Sequence, residues 1–399
     1  MKILIFNEFY TPYKVGGAEV STQILAEGLV KLGNQVHVCT SGSGYVNTII
    51  NGVHVHRIPQ SNIYWSFNKE NQSIIHRSLW HLKDCYNISC KKDISNIIND
   101  ISPDVIHTNV IAGFSVIIWQ IAKKKSIPVV HTLRDYYLMC YKSTLYNNDK
   151  RCEEQCGLCN IVSIFRKISS KYVDTVVGIS DFILQKHINN GYFQNSRFKT
   201  VIQNSVKPFA NTLVVKRRKV IGYLGRIHHS KGIEILLSSF LRLSMNEYSV
   251  EIAGEGNPEY VSKLKQKYSI NDKIKFVGKV ESYNFLSTIE VLVVPSLWDE
   301  PFGRVIVEAN SCGCPVIVSN RGGMPELIKE GCNGLVFDID DKDSLKNMLN
   351  NYIRGKISFS LGNIKLDCYN EEFVANQYVN VYQKVLDSCK SRLNLYGIL

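Results

Sequence analysis

VIGYLGRIHHSKGIEILLSSF, residues 220–240, reads as a strand, a basic loop and an amphipathic helix. The β-branched and aromatic run 220–224 stops at Gly225, and helical spacing of apolar residues starts after Lys231 and runs through 232–243. A strand that feeds a helix through a short loop is half of a βαβ unit, and the same alternation extends in both directions. Downstream, short apolar runs fall at 249–252, 274–277, 291–295, 315–319 and 335–337, with a helical stretch at 302–311. Upstream, strand-like runs at 3–6, 35–40, 105–107 and 129–132 alternate with helical patterns at 18–32 and 113–124. The class is therefore α/β with parallel sheets. The rhythm pauses at 204–219, where Pro208, Asn211 and the run Lys216-Arg217-Arg218-Lys219 separate the two patterns. We expect two Rossmann-like doubly wound parallel-sheet domains, residues 1–205 and 206–370. Ligands of such sheets bind at the carboxyl ends of the strands, so two of them facing each other across a cleft would form the site.

Length agrees, since 399 residues is about twice an ordinary domain. A hydrophobic fraction of 45% with 21% charged residues supports two packed cores and excludes a disordered or fibrous chain. The 47 Lys and Arg against 35 Asp and Glu leave a net charge of +12, which favours an anionic partner. Residues 1–205 hold 22 of the basic and 14 of the acidic side chains, so an anionic surface is expected nearer the first half. The opening Met1-Lys2-Ile3-Leu4-Ile5-Phe6 run is stopped by Asn7 and Glu8 and reads as a strand, not a secretory signal. The apolar stretch 105–122 is broken by His107, Thr108, Asn109, Ser115 and Gln120 and is no membrane span. Twelve cysteines without an export signal imply mostly reduced thiols and a cytoplasmic setting.

Three motifs sit where strands turn into helices. Gly16-Gly17-Ala18-Glu19 opens a helix after the first strand, and its glycines let a phosphate or sugar approach the backbone. Arg226 and Lys231 flank the loop after the 220–224 strand, where two fixed cations either grip a diphosphate, as Mg²⁺ does elsewhere, or merely line a solvated loop. In the segment 298–310, Pro301 is expected at a first helical position after Glu300, with the amides of Phe302, Gly303 and Arg304 at the helix start. Glu308, eight residues after Glu300, would then share its helix face and hold sugar hydroxyls.

In this order, Gly225-Arg226 to Lys231-Gly232, Glu300-Pro301-Phe302-Gly303 to Glu308-Ala309, Gly313-Cys314-Pro315 and Gly322-Gly323-Met324-Pro325-Glu326 resemble the signature of glycosyltransferase family 4, retaining enzymes of the GT-B fold. The resemblance implies that Arg226 and Lys231 bind a nucleoside diphosphate, Glu308 the ribose, and Glu300 with the 302–304 backbone the donor hexose. Gly17 would approach the phosphate or the acceptor from the other domain. It also implies that no divalent metal is required and that the last helix, near 371–390, returns to the first domain. The acceptor would be a glycan or lipid-linked hydroxyl in surface polysaccharide assembly, and the positive charge of the first half fits peripheral contact with the anionic inner membrane face.

One position departs from the family pattern. In Val129-Val130-His131-Thr132-Leu133-Arg134-Asp135, Arg134 occupies the place where relatives carry a histidine. Arginine stays charged and cannot shuttle a proton, so an electrostatic role is expected for Arg134, held by Asp135, with His131 packed in the core. Cys140, Cys152, Cys156 and Cys159 have spacing suited to a structural zinc or a stapled loop, with two disulfides or unconnected thiols as the other readings. Asp338-Ile339-Asp340-Asp341 resembles an acidic metal triplet, but capping of a helix starting near Ser344 accounts for it. Two other functions stand beside sugar transfer. One is a GT-B hydrolase or epimerase of nucleotide sugars. The other is a basic nucleic-acid-binding scaffold, which the scattered basic residues and the missing nucleic-acid motifs disfavour.

Overall fold

A computed structural model describes residues 1–13, 16–67, 72–206, 216–243, 247–361 and 366–395. Pro208 and Asn211, at the expected junction, lie outside the described residues. By contact the chain forms two compact units. The first comprises Met1–Leu145, Glu153–Ser205 and Cys368–Leu399, and the second Tyr146–Cys152 with Val206–Asp367.

In chain order the first half runs β1 (Lys2–Phe6), α1 (Gly17–Lys31), β2 (Gln35–Gly42), β3 (Val46–Ile50), β4 (Val53–Pro59), α2 (Ile74–Asp84), α3 (Lys91–Ile101), β5 (Val105–Thr108), α4 (Ile117–Lys124) and β6 (Val129–Leu133). It continues with β7 (Tyr146–Asn147), β8 (Lys150–Arg151), α5 (Gly157–Ser169), β9 (Thr175–Gly178), α6 (Asp181–Asn189) and β10 (Phe198–Val201). The second half runs β11 (Arg218–Leu224), α7 (Ile233–Leu241), β12 (Ser249–Ala253), α8 (Pro258–Tyr268), β13 (Ile274–Gly278), α9 (Ser282–Leu286) and β14 (Ile289–Val294). It ends with α10 (Arg304–Ser311), β15 (Val316–Ser319), β16 (Gly334–Phe337), α11 (Ser344–Ile353) and α12 (Glu371–Leu395).

The first unit's eight strands lie in the order β10-β9-β6-β5-β1-β2-β4-β3, parallel except for β3, which pairs antiparallel with β4. Ile3, Leu4, Ile5 and Phe6 of β1 are all buried, as a central parallel strand covered on both faces requires. One face packs against α1 and α12, with Leu25, Leu29, Tyr378 and Tyr382 among its buried residues. Gly28 sets that approach, because a Cβ there would lie 2.9 Å from Glu371 Cγ and 3.1 Å from Ala375 Cβ. A chain of bonds then ties α12 to the sheet. Tyr382 Oη lies 2.7 Å from His107 Nδ1, His107 Nε2 lies 2.8 Å from Thr132 Oγ1, and Thr132 Oγ1 lies 3.0 Å from Tyr378 Oη.

The second unit's sheet is wholly parallel, in the order β13-β12-β11-β14-β15-β16. In each sheet the strand order reverses beside a central strand, between β1 and β5 in the first and between β11 and β14 in the second. The carboxyl ends at those reversals are where a doubly wound sheet leaves a crevice for a ligand.

The structure corrects one boundary. Residues 146–152, placed by the sequence in the first domain, belong to the second unit. Their hairpin turns at Asn148 and Asp149, both with positive φ, and its side chains bond within that unit. Tyr146 Oη lies 3.0 Å and Asp149 Oδ1 3.1 Å from His229 Nδ1, and Arg151 lies 3.5 Å from Asp299. Among the described residues no helix is long and apolar enough to cross a membrane.

Candidate active site

In the second unit the switch-point crevice is built by the loops after β11 and β14. Gly232 lets them meet: its φ is +66°, and a Cβ would fall 1.8 Å from the Pro295 carbonyl oxygen. The Leu297 N–H donates to the Ser230 carbonyl at 2.8 Å, locking the two loops. Lys231, on the first loop, places Nζ 2.5 Å from Glu300 Oε1 and 5.0 Å from the Trp298 ring centroid. Ser296 Oγ donates to the same Glu300 oxygen at 2.7 Å. Arg226 is exposed, while its carbonyl accepts the Tyr223 hydroxyl at 2.8 Å. His228 reports the local field: burial first, then Arg226, His229 and Lys231, push its pKa below the usual histidine value. The two loops thus set Lys231 directly against the Glu300 carboxylate, with Arg226 exposed nearby in sequence.

The motif glycines position Glu300. Gly322 has φ +64°, and a Cβ there would lie 2.1 Å from the Glu300 carbonyl oxygen, which accepts the Gly323 N–H at 2.7 Å. The helix that follows corrects the sequence reading. It begins at Arg304, not at Pro301, because Gly303 stands at φ +101° as the residue before the first turn and cannot lie inside a right-handed helix. Glu300 is thus not on α10 and shares no helix face with Glu308. Phe302 is buried and anchors the turn. Arg304 Nε donates to Glu308 Oε1 at 2.7 Å across one helical turn. The helix start leaves the first amides without helical acceptors, a ready site for sugar or phosphate oxygens.

In the first unit, Gly16 and Gly17 open α1 at the carboxyl end of β1, and the Gly16 N–H donates to Glu19 at 2.8 Å. Arg134 follows β6 and is buried, with Nε donating to Asn109 Oδ1 at 2.7 Å and Nη1 donating to Asn204 Oδ1. Asp135 accepts the Tyr137 N–H at 2.9 Å. Burial, with Glu19 adding repulsion, raises Asp135 to about 6. His131 is a core residue, 2.9 Å from Thr108 Oγ1 and stacked on Phe193, and burial lowers it to about 3.

None of Cys140, Cys152, Cys156 and Cys159 is joined in a disulfide. Cys159, buried, hydrogen-bonds with Cys140 and Cys156, and burial raises it to about 12. Cys156 is exposed at the residue before α5, where hydrogen bonds from the Cys159 and Leu158 amides and from the Cys159 thiol lower its pKa. Among the described residues no group of three or more His, Cys, Asp or Glu side chains is placed to share a metal ion. The 338–341 acidic run is absorbed locally: Asp338 accepts from Asn320 at 2.8 Å and Asp340 pairs with Arg321 at 2.5 Å.

Sequence reading missed several groups. Asn109 and Asn204, which hold Arg134, come from distant strand ends and carry no local signal. Ser296 and Trp298, at Lys231 and Glu300, lie one and three residues after Pro295, and a closer reading of the strand end would have found them. The hairpin that reaches His229 and Asp299 was signalled by Asn147-Asn148-Asp149, a turn sequence between two short polar strands.

Residues 15–207 match the model of Glycosyltransferase Family 4, and residues 207–360 that of Glycosyl transferases group 1. An uncharacterized 42.6 kDa protein in the cps region of Klebsiella pneumoniae is 34% identical over 96% of this chain and 100% of its own length. An uncharacterized glycosyltransferase of Methanocaldococcus jannaschii is 27% identical over 97% of the chain and 99% of its own length. Among solved structures, sucrose-phosphate synthase from Thermosynechococcus elongatus superposes with a TM-score of 0.75 at 19% identity, covering 97% of this chain and 99% of that one. Anabaena HepE in complex with UDP and glucose gives 0.65 at 18% identity, covering 98% and 100%. The cationic loop after β11, the carboxylate after β14 and the helix start at Arg304 thus lie in a glycosyltransferase of the GT-B type, and the chain belongs to glycosyltransferase family 4.

Proposed function

We propose that the protein transfers a hexose from a nucleoside diphosphate sugar to an acceptor hydroxyl with retention of anomeric configuration. The observation that carries this reading is the meeting of Lys231, from the loop after β11, with Glu300, from the loop after β14, at the second unit's switch point. The donor site belongs to the second unit. Arg226 and Lys231 neutralise the diphosphate and stabilise the charge that grows on it as the bond from the sugar C1 to the β-phosphate oxygen breaks. The acceptor oxygen forms its bond to C1 on the same face, and its proton passes to the departing β-phosphate oxygen. Paired cations do this without a divalent metal. Glu308 takes the ribose hydroxyls, and Glu300 with the amides at 302–304 takes the hexose. Gly17 approaches the phosphate or the acceptor, and Arg134 with Asp135 contributes charge on the acceptor side.

The relative in a capsule region and the UDP-bound fold relative support a surface polysaccharide and a nucleotide sugar. We assign the acceptor to a lipid-linked glycan and the protein to the cytoplasmic face of an anionic membrane. The test is incubation with labelled UDP-, GDP- and ADP-sugars and lipid extract. Label appearing in lipid supports transfer. Free sugar released at the same rate without acceptor would replace this reading by nucleotide-sugar hydrolysis.

A further inference from the structure

Helix α5 is built inside out. Its protein-facing side carries Cys159, Val162, Ser163, Arg166 and Ser169, whereas Leu158, Ile161, Ile164, Phe165 and Ile168 are exposed, Ile161 at 65%. Those five recur at three- and four-residue spacing and form one stripe. The polar side is stable because it is satisfied. Arg166, 1% exposed, pairs with the fully buried Asp84 of α2 at 3.1 Å, donates to the Tyr137 carbonyl at 2.5 Å and lies 3.9 Å over the Tyr137 ring.

The stripe is continuous with a second one. Asp84 ends α2, whose Ile75, Leu79 and Leu82 are also exposed, and Tyr86, just beyond it, packs on Phe165 with centroids 5.8 Å apart. Ile88 extends the apolar face toward α3. A patch of this extent, with large aliphatic side chains outward and polar ones inward, marks a surface that is covered in use.

The rim identifies the cover. Within 74–92 and 157–172 the exposed or half-buried charged side chains are Arg77, Lys83, Lys91, Lys92, Lys167 and Lys171. The single acidic residue in those spans is Asp84, which is buried and paired, while Asp93, next after Lys92, is half-buried and accepts the Tyr45 hydroxyl at 3.0 Å. Glu153 and Glu154 are exposed but precede the start of α5. A face of leucine, isoleucine and phenylalanine ringed by lysine and arginine matches the interface of an anionic bilayer. A two-fold contact with a second copy would set six cations against six, which disfavours it. At 13 residues α5 is about 20 Å long, suited to lying in the headgroup plane.

We propose that the α2–α5 face of the first unit docks on an anionic membrane, with the apolar stripe in the acyl boundary and the six cations among the lipid phosphates. Its purpose rests on the proposed lipid-linked acceptor, which docking would bring to the enzyme.

Cosedimentation of the full chain with vesicles of phosphatidylglycerol and phosphatidylcholine, against phosphatidylcholine alone, tests it. Binding should require phosphatidylglycerol, and Ile161→Asn/Phe165→Asn/Ile168→Asn should reduce it at least tenfold. Lys167→Ala/Lys171→Ala, which leaves every residue of the apolar stripe in place, should weaken binding and its salt sensitivity while leaving the far-ultraviolet circular dichroism unchanged. Failure to bind the anionic vesicles, or unaltered binding by both variants, would overturn the proposal. So would a dimer in size-exclusion chromatography that the apolar variant dissociates. A nucleotide-sugar thermal shift measured without vesicles reads the donor site separately, so a wild-type chain that shows that shift but fails to bind the anionic vesicles overturns the docking face alone.

Discussion

Lys231 Nζ lies 2.5 Å from Glu300 Oε1, although the two residues leave the sheet from different strands, β11 and β14. The pair holds a cation and a carboxylate together at the switch point, where the proposed donor site lies. Lys231→Ala removes the charge that meets the departing diphosphate, a loss of about a hundredfold or more in kcat. Lys231 is half-buried at a loop and not part of the core, so the melting temperature should barely move. Steady-state kinetics beside a melting curve checks both.

Glu308 predicts a different kinetic signature. Its bond to Arg304 spans four residues on α10 and contributes about 0.3–0.5 kcal/mol to the helix. Glu308→Ala should therefore cost little stability. Loss of a charged hydrogen bond to the ribose, about 1.5–3 kcal/mol, should lower kcat/KM for the donor about tenfold or more, mainly through KM. A change in kcat alone would place Glu308 elsewhere in the reaction.

The sequence was informative where physics is local. Strands such as Ile3 to Phe6 and Val291 to Val294 are buried on both sides and announce themselves as continuous apolar runs. The glycines beside Arg226, Lys231 and Glu300 mark loops that must approach one another closely. The start of α10 was misread because Pro301 is a strong helix-start residue, whereas Gly303 at φ +101° decides the geometry and its φ is not written in the sequence. The partners of the 146–151 hairpin were out of reach for another reason: Tyr146 and His229 are 83 residues apart and Arg151 and Asp299 are 148 apart. Arg166 is the sharpest case, since a helix with its charge inward and its isoleucines outward looks, by pattern alone, like one turned the other way.

Arg134 and Asp135 make a pH prediction. Arg134 does not titrate, so it adds no limb to the profile. Asp135 titrates near 6, and kcat/KM should fall as pH drops through that value if its carboxylate supports the reaction. Asp135→Asn should remove that limb, and Arg134→His should introduce a new one. Arg134→Ala leaves the Asn109 and Asn204 amides without their buried partner, a cost of about 1–3 kcal/mol that calorimetry will register.

Buried histidines make the first unit sensitive to acid. Burial lowers His131 to about 3, His187 and His37 to about 4, and His107 well below its ordinary value. In the unfolded chain each binds a proton near pH 6.5. Between those values the unfolded state holds more protons, so stability rises with pH there and is lost as pH falls from about 6.5 toward 4. Melting temperatures across that range should drop steadily, and a flat profile would show that these imidazoles are hydrated.

Cys156 should be the first thiol to react. It is exposed at the start of α5 with a lowered pKa, whereas Cys140 and Cys159 are buried. Brief alkylation at pH 7 followed by peptide mass analysis should find Cys156 modified first. One zinc per chain by elemental analysis, with all four thiols protected, would instead support the metal reading of their spacing.

The central claim is that a diphosphate is held by Arg226 and Lys231 without a divalent metal. Calorimetric titration of UDP, GDP and ADP in the presence of EDTA, with the wild type and Arg226→Ala/Lys231→Ala, measures it most directly. One nucleotide should bind the wild type unchanged by EDTA and bind the double variant at least a hundredfold more weakly. Binding that vanishes with EDTA, or that the double variant retains in full, would contradict the account.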